Sequence, residues 1–236
     1  MTNLTAGQAA TGEKETVAEG GKGAQTRAAI LERAVDLASV EGLEGLTIGR
    51  LAAELEMSKS GLFAHFGSKQ ELQLATIEAA AERFRAAVIE PAMSAPDGAP
   101  RLRAMGERYL DHLDLYTGGC FWGATSAEYD DRPGPVRDAL ATMVQTWQDA
   151  LTRSIKLAID EGHLSPDTSP EQVMFEIHGL ILALHHDARF LRNPGSVERA
   201  RQGFERVLAH SIQPSSDAAS AATLPPRPKE TRTARR

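Results

Sequence analysis

The chain has 236 residues, of which 42% are hydrophobic and 25% charged, and its formal net charge is −6 at pH 7. This length is sufficient for two domains. The acidic net charge argues against a protein that binds nucleic acid mainly through non-specific attraction to the phosphates. The single cysteine, Cys120, excludes an intrachain disulfide, and the longest strongly apolar run, residues 180–184, is too short to cross a bilayer. We therefore predict a cytoplasmic protein.

The chain begins with a segment that has no apolar periodicity. Residues 1–25 are rich in Gly, Ala, Thr and Glu, and we predict a disordered tail there. The segment also lacks the basic and apolar regions of a signal peptide. The first helix is predicted over residues 26–42, because its apolar residues recur at helical spacing and Gly42 is typical of a helix C-terminus.

Residues 47–66 predict two short helices joined by a tight turn. Thr47 is an N-cap candidate, and the apolar residues after it share one helix face: Ile48, Leu51, Ala52 and Leu55. Ser58 is a second N-cap candidate, so the first helix must end before it and the second must begin at Lys59.

The second of these helices has two different sides. Leu62 and Phe66 lie four residues apart and are expected to hold it against the first helix. Its other positions are small, polar or basic, apart from one aromatic residue: Lys59, Ser60, Gly61, Phe63, Ala64 and His65. An apolar back and a slim front are what a recognition helix needs to enter a major groove about 12 Å wide. By spacing alone, a generic helical hairpin with a solvated face fits as well.

The run SKSGLFAHFGSKQEL, residues 58–72, resembles the second half of the DNA-binding domain of TetR-type transcriptional regulators, and the resemblance extends upstream through residues 30–46. It implies a helix-turn-helix that contacts DNA, with base contacts expected from Lys59, Ser60 and Ala64. The full set of expected DNA-binding residues is Thr47, Ile48, Ser58, Lys59, Ser60, Gly61, Phe63, Ala64, His65 and Lys69.

Three features depart from that expectation. Phe63 stands where the family usually has Tyr, and Glu56 occupies a turn position where Gly is common. Residues 26–84 contain six Lys and Arg against nine Asp and Glu, so this region is acidic and should bind non-specific DNA weakly. These features motivate an alternative: a helical small-molecule-binding or partner-binding protein whose DNA-reading head has lost its function.

The rest of the chain is also predicted to be helical. A long helix is expected over residues 69–89, and the prolines that follow place a domain boundary near residues 88–100. Further helices are predicted near residues 101–117, 134–162, 170–192 and 196–212. Because strand-like alternation is missing, we predict an all-α fold. The resemblance implies a helix-turn-helix DNA-binding domain over 26–88 and a helical effector-binding and dimerisation domain over 100–212. The composition of residues 213–236 predicts a second disordered tail.

In the resembled family the second domain binds a small molecule and dimerises through its last two helices. Here the candidates for that interface are Val173, Ile177, Ile181, Leu184, Phe204 and Leu208. An internal core helix would account for the same apolar band. The resemblance implies a homodimer on a near-palindromic double-stranded DNA operator, acting as a repressor that a small-molecule effector releases.

Aromatic and sulfur-containing residues supply candidates for a ligand pocket, although an ordinary core would use the same types. The candidates are Tyr116, Cys120, Phe121, Trp122, Trp147, Phe175 and His178. No nucleophile motif, phosphate loop or cysteine pair is found, and the adjacent His185 and His186 point about 100° apart on a helix. We therefore expect no catalytic residue, metal or cofactor, and a Cys120-dependent enzyme remains only an alternative.

Overall fold

The structure is a computed structural model that describes residues 12–212 and the side chains of residues 21–212. Every regular element in this range is helical, which confirms the predicted all-α fold. The helices are α1 Gly12–Gly45, α2 Ile48–Glu54, α3 Lys59–Phe66, α4 Lys69–Phe84, α5 Glu90–Met93, α6 Ala99–His112, α7 Phe121–Thr125, α8 Pro135–Asp160, α9 Pro170–His185 and α10 Ser196–Ile212. The predicted C-terminal tail and residues 1–11 lie outside the described residues.

Helix α1 begins earlier than the sequence indicated. It starts at Gly12, so the prediction of a disordered tail is corrected over residues 12–25. Residues 21–29 are exposed, and burial therefore does not account for this extension. Once the packed part of a helix has formed, each added residue gains one backbone hydrogen bond without a new nucleation cost, which lets the helix extend into solvent.

The predicted end of the first helix is a sharp kink. Gly42 has φ 75° and ψ 170°, a conformation that favours glycine, and the last turn of α1 leaves the helix axis there. Leu43 and Leu46, on the far side of the kink, are fully buried. The kink thus turns the chain inward just before α2.

Side-chain caps define the two short helices as predicted. The Thr47 hydroxyl accepts a hydrogen bond from the Arg50 N–H at 3.1 Å, and the Ser58 hydroxyl accepts one from the Gly61 N–H at 3.0 Å. Between them Glu56 lies in the left-handed region with φ 53°, which costs about 1 kcal/mol for a residue with a side chain. This strained residue stands at the turn position where the resembled family commonly has glycine.

Helix α4 connects the two halves of the molecule. It is capped by Ser68 and continues through a π-helical turn, Arg85–Ile89, directly into α5. The regular backbone ends after Met93, within the boundary region predicted from the prolines. In the described structure, no helix is both long and apolar enough to span a membrane.

The apolar core does not divide at this boundary. The core beneath α1–α4 includes Phe121, Tyr129 and Leu140, which come from α7, the turn after it and α8. A second core lies among α6, α8, α9 and α10, and a smaller cluster around Phe84 and Tyr109 joins it to the end of α4. The two halves are therefore packed together through α7 and α8.

Candidate nucleic-acid interface and ligand cavity

Helix α3 presents its predicted front to solvent. Leu62 and Phe66 are buried against the other helices, whereas Lys59, Ser60 and Ala64 are exposed and the Phe63 ring is 54% exposed. Gly61 and His65, on the same helix, are partly exposed. The residues expected to contact DNA on α3 thus lie together on one accessible surface.

The remaining expected DNA contacts flank this surface. Ser58 is exposed, while Thr47 and Ile48 are partly buried at the start of α2. Lys69 differs from the expectation, because its ammonium group is held at the end of α1: it donates to the Glu44 carbonyl oxygen at 2.9 Å and to the Glu44 carboxylate at 3.0 Å. Lys69 is not a free cation in this structure.

Two arginines near α2 are also neutralised by carboxylates. Arg33 of α1 pairs with Asp36 and with Glu54, and Arg50 pairs with Glu41 at 2.6 Å and with Glu54 at 2.8 Å. The hydrogen bonds from Arg33 and Arg50 hold the pKa of Glu54 below its usual value. This network ties α1 to α2 and neutralises both arginines.

Lys59 forms no ion pair with the described residues. It is the first residue of α3, and its ammonium group lies close to Gly49 of α2, where a Cβ would be 3.7 Å away. A Cβ at position 49 would therefore be in ordinary van der Waals contact with this side chain. Lys59 is the cation on the front of α3 that remains available to a phosphate or a base.

A cavity of about 1100 Å³ lies between the first and second halves of the molecule. Its walls come from α1 and α4 on one side and from α6, α7, α8 and α9 on the other. Four of the predicted pocket residues line it: Cys120, Trp122, Trp147 and His178.

Three of the predicted pocket residues lie elsewhere. Phe121 is 1% exposed and packs into the core beneath α1, and Tyr116 is buried against His112 with ring centroids 5.0 Å apart. Phe175 is 69% exposed on the outer side of α9. These assignments are corrected: an aromatic residue type does not reveal the side of the helix on which it lies.

Residues from the first half of the chain also line the cavity, which the sequence pattern did not predict. Arg27 and Leu31 of α1 and Ala75 and Ala79 of α4 belong to the cavity wall. Their helical periodicity identifies them as neighbours on α1 and α4 but does not show that the second half packs over them. A molecule in this cavity would touch the helices that carry α2 and α3.

One wall of the cavity is also fastened to α1. We call residues 117–132 the clasp; its residues Trp122 and Ala127 face the cavity. The Thr117 N–H donates to the Asp36 carboxylate at 2.8 Å, and the Gly118 N–H donates to the Ser39 hydroxyl at 2.9 Å.

At its other end the clasp holds the last turn of α1. The Glu44 N–H donates to the Glu128 carboxylate at 3.1 Å, and the Tyr129 hydroxyl donates to the Glu44 carboxylate at 2.9 Å. The buried Gln73 side-chain amide of α4 donates to the Leu43 carbonyl oxygen at 2.7 Å and to the Tyr129 hydroxyl at 3.1 Å. These bonds join α1, α4 and the clasp four to five residues before α2 begins.

Burial and charge act in opposite directions on the two carboxyl groups here. Burial raises the pKa of Glu128, although backbone N–H groups of Glu44 and Leu43 counteract it. The hydrogen bonds from Lys69 and Tyr129 lower the pKa of Glu44. Glu44 thus remains the anion on which the contacts of Lys69 and Tyr129 converge.

Two family models match the chain. The model for bacterial regulatory proteins of the tetR family matches residues 30–76, and the model for the tetracyclin repressor-like C-terminal domain matches residues 98–204. The chain belongs to the TetR family. Helices α2 and α3 are accordingly the DNA-binding helix-turn-helix of a TetR-family transcriptional regulator.

Solved structures of TetR-family regulators share this fold. A regulator from Chloroflexus aurantiacus is 23% identical with a TM-score of 0.72, and the match covers 81% of this chain and 96% of that one. SCO4454 from Streptomyces coelicolor is 25% identical with a TM-score of 0.68, over 87% and 98% of the two chains. AibR, solved in complex with isovaleryl coenzyme A and operator DNA, is 22% identical with a TM-score of 0.61, over 79% and 98%. No curated protein matches the chain in sequence.

The residues predicted for a TetR-type dimer interface are largely internal. Val173, Ile177, Leu184 and Leu208 are at most 5% exposed and pack into the cores of this chain. Ile181 and Phe204 are partly buried against the same cores. The apolar band of α9 serves mainly to cover α6, α8 and α10, and the interface assignment of these residues stays a prediction.

A different side of α9 carries exposed apolar residues. Phe175 and Leu182 are 69% and 52% exposed, and Gly179 between them has no other atom near the position of a Cβ. Phe190, in the π-helical turn His186–Phe190 after α9, is 76% exposed. The spacing of these residues places them along one face of the helix, and Leu182 also lines the cavity.

Proposed function

We propose that the protein is a ligand-responsive repressor that binds a near-palindromic operator as a homodimer in the cytoplasm. The observation that carries the ligand response is the cavity, because its wall includes α1 and α4 of the DNA-binding half. A molecule of sufficient size cannot occupy this space without contacting the helices that position α3. AibR, a protein of similar fold, was solved with both a small molecule and operator DNA.

Ligand binding acts on DNA binding through the clasp and α4. The clasp residues that face the cavity belong to the same short segment as Glu128 and Tyr129, which hold the end of α1. A ligand that moves this segment changes the orientation of α2 and α3 without touching DNA. This is allostery by rigid-body movement between two sites.

The homodimer forms through the outer face of α9 and the adjoining π-helical turn. Phe175, Leu182 and Phe190 supply large exposed apolar side chains there, and burying them between two copies is favourable. A two-fold axis through this face gives two copies of α3, which read successive major grooves about 34–36 Å apart. The operator is therefore near-palindromic.

DNA recognition rests on few charged contacts. Lys59, Ser60 and Ala64 contact bases, while Thr47, Ile48, Ser58, Gly61, Phe63 and His65 line the approach to the duplex. Since Arg33, Arg50 and Lys69 are occupied by carboxylates, each head contacts few phosphates. The dependence of affinity on salt concentration is therefore shallow.

Fluorescence anisotropy tests this proposal, with labelled DNA from upstream of the protein's own gene compared with scrambled DNA over a salt titration. Specific binding about 10³-fold tighter than scrambled binding is expected. Equal, weak binding to both, and failure to enrich any sequence from random duplexes, would contradict the proposal. That outcome would favour a head that no longer reads DNA, for which the ion-paired Arg33 and Arg50 supply a physical reason.

A further inference from the structure

The inner part of the cavity contains buried polar atoms that have no hydrogen-bond partner. They are the Tyr109 hydroxyl, the Trp147 indole N–H and Nδ1 of His178, and all three residues line the cavity. A buried donor or acceptor without a partner is costly, and folded proteins leave few such groups. Of the seven such atoms in the described residues, these three line the same cavity, where a bound molecule can supply the partners.

The rings that carry two of these groups pack against one another. The Tyr109 and Trp147 rings are stacked with centroids 6.2 Å apart, and the Phe84 ring packs edge-on against Trp147 at 5.0 Å. Tyr109 is only 4% exposed, and its hydroxyl faces the Cys120 thiol, which is a weak partner. The two donors are therefore fixed in position before any ligand arrives.

Charged side chains are confined to the outer part of the cavity. Each charged residue of the lining is exposed to solvent: Arg27, Glu78, Glu82, Arg85, Asp130, Arg137 and Arg153. His178 is partly buried, and burial lowers the pKa of its imidazole, which favours the neutral ring at pH 7. The inner part thus offers apolar surface and neutral hydrogen-bonding groups, and a buried ionic group would meet no counter-charge there.

We infer that this cavity binds an uncharged, mostly apolar ring compound whose carbonyl oxygen accepts hydrogen bonds from the Trp147 indole and the Tyr109 hydroxyl. The aromatic walls contact the ring, and the neutral imidazole of His178 accommodates a further polar substituent. That such a compound acts as the effector of the repressor rests on the proposed function, whereas its binding to the cavity does not. Either claim can therefore be wrong without the other.

Three probes of nearly equal shape test the inference by isothermal titration calorimetry on the full-length protein without DNA. They are 2-acetylnaphthalene, which has a neutral acceptor, 2-ethylnaphthalene, which has none, and 2-naphthoate, which is an anion. The ketone is expected to bind about 30-fold more tightly than the hydrocarbon, the effect of two net hydrogen bonds of about 1 kcal/mol each. The anion is expected to bind most weakly.

Substitutions then locate the acceptor. Trp147→Phe or, as a second variant, Tyr109→Phe should reduce the ketone's advantage over the hydrocarbon from about 30-fold to about fivefold, because one of the two hydrogen bonds remains. The helical circular dichroism should be unchanged. Trp122→Phe is the matched control, because Trp122 lines the cavity but is not among the unpartnered buried groups, and it should keep the preference of about 30-fold. A preference that neither test variant reduces, tightest binding by the anion, or no binding by any probe would overturn the inference. DNA binding, measured separately by anisotropy, reports on the proposed function alone.

Discussion

Substitution of Gly118 by Ala tests how the clasp lies on α1. A Cβ at position 118 would be 1.9 Å from the Ser39 carbonyl oxygen and 2.1 Å from the Ser39 carbonyl carbon. Both are backbone atoms in the middle of α1, so no side-chain rotation relieves the contact. Ordinary van der Waals contact begins at 3.4 Å, and the clasp must therefore move away from α1 by about 1.5 Å.

The expected cost has two parts. Forcing an extra methyl group into a packed contact costs about 1–3 kcal/mol, and the hydrogen bond from the Gly118 N–H to the Ser39 hydroxyl, worth about 1 kcal/mol, is lost with the movement. A total of about 2–4 kcal/mol lowers the melting temperature of a chain of this size by about 5–15 °C. Thermal unfolding followed by circular dichroism at fixed protein concentration measures this shift.

Gly23→Ala is the matched control. Gly23 lies in the exposed first part of α1, and no atom lies within 4 Å of the position of its Cβ. The substitution should leave the melting temperature unchanged or raise it slightly, because Ala favours a helix over Gly by about 1 kcal/mol. If Gly118→Ala melted within 1 °C of the wild type, the clasp would not lie against α1 as described, and the proposed route from cavity to DNA would lose its basis.

Three further predictions concern the front of α3, the exposed apolar face of α9 and a buried histidine. Lys59→Ala should weaken operator binding at least tenfold in anisotropy with an unchanged circular dichroism spectrum; unchanged affinity would refute the placement of the recognition surface. Phe175→Glu should convert the dimer to a monomer in light scattering, whereas Val40→Glu, at another exposed apolar position, should not. Burial lowers the pKa of His112 from 6.5 to about 4, so the unfolded chain takes up the proton first as the pH falls. The free energy of unfolding should therefore decrease by up to about 3 kcal/mol between pH 6.5 and pH 4. The ring nitrogens of His112 have no hydrogen-bond partners. His112→Leu should therefore remove that decrease, as measured by denaturant titrations at each pH.

Local interactions made helices α2 and α3 and the start of α4 predictable from the sequence. The N-cap hydroxyls of Thr47, Ser58 and Ser68 each act within three residues along the chain, so the sequence itself contains both partners. The same holds for the buried pair Leu62 and Phe66, whose spacing of four specifies one side of a short helix. Helix starts and the buried side of α3 follow from such short-range rules.

Long-range packing made the cavity and the exposed apolar face of α9 hard to predict. Helix α9 has apolar residues on more than one side, and periodicity does not distinguish the side that covers the core, with Val173 and Ile177, from the side left exposed, with Phe175 and Leu182. Likewise Leu31 and Trp147 are 116 positions apart in the sequence yet line one cavity. Only the packing of α7 and α8 onto α1 brings them together.

The contacts at the end of α1 also limit how strongly a ligand can act on DNA binding. The clasp and Gln73 hold residues 36–44 with backbone and side-chain hydrogen bonds, each worth about 1 kcal/mol net. Gly42 cannot take a side chain without meeting Glu128, since a Cβ there would be 1.4 Å from the carboxylate oxygen. If ligand binding breaks two of these bonds while the rest remain, the coupling free energy between the cavity and the DNA-binding helices is about 2 kcal/mol. This corresponds to about a 30-fold change in operator affinity. That value lies within the usual range of allosteric coupling, about 1–3 kcal/mol, so partial release of the clasp is sufficient and unfolding of the head is unnecessary.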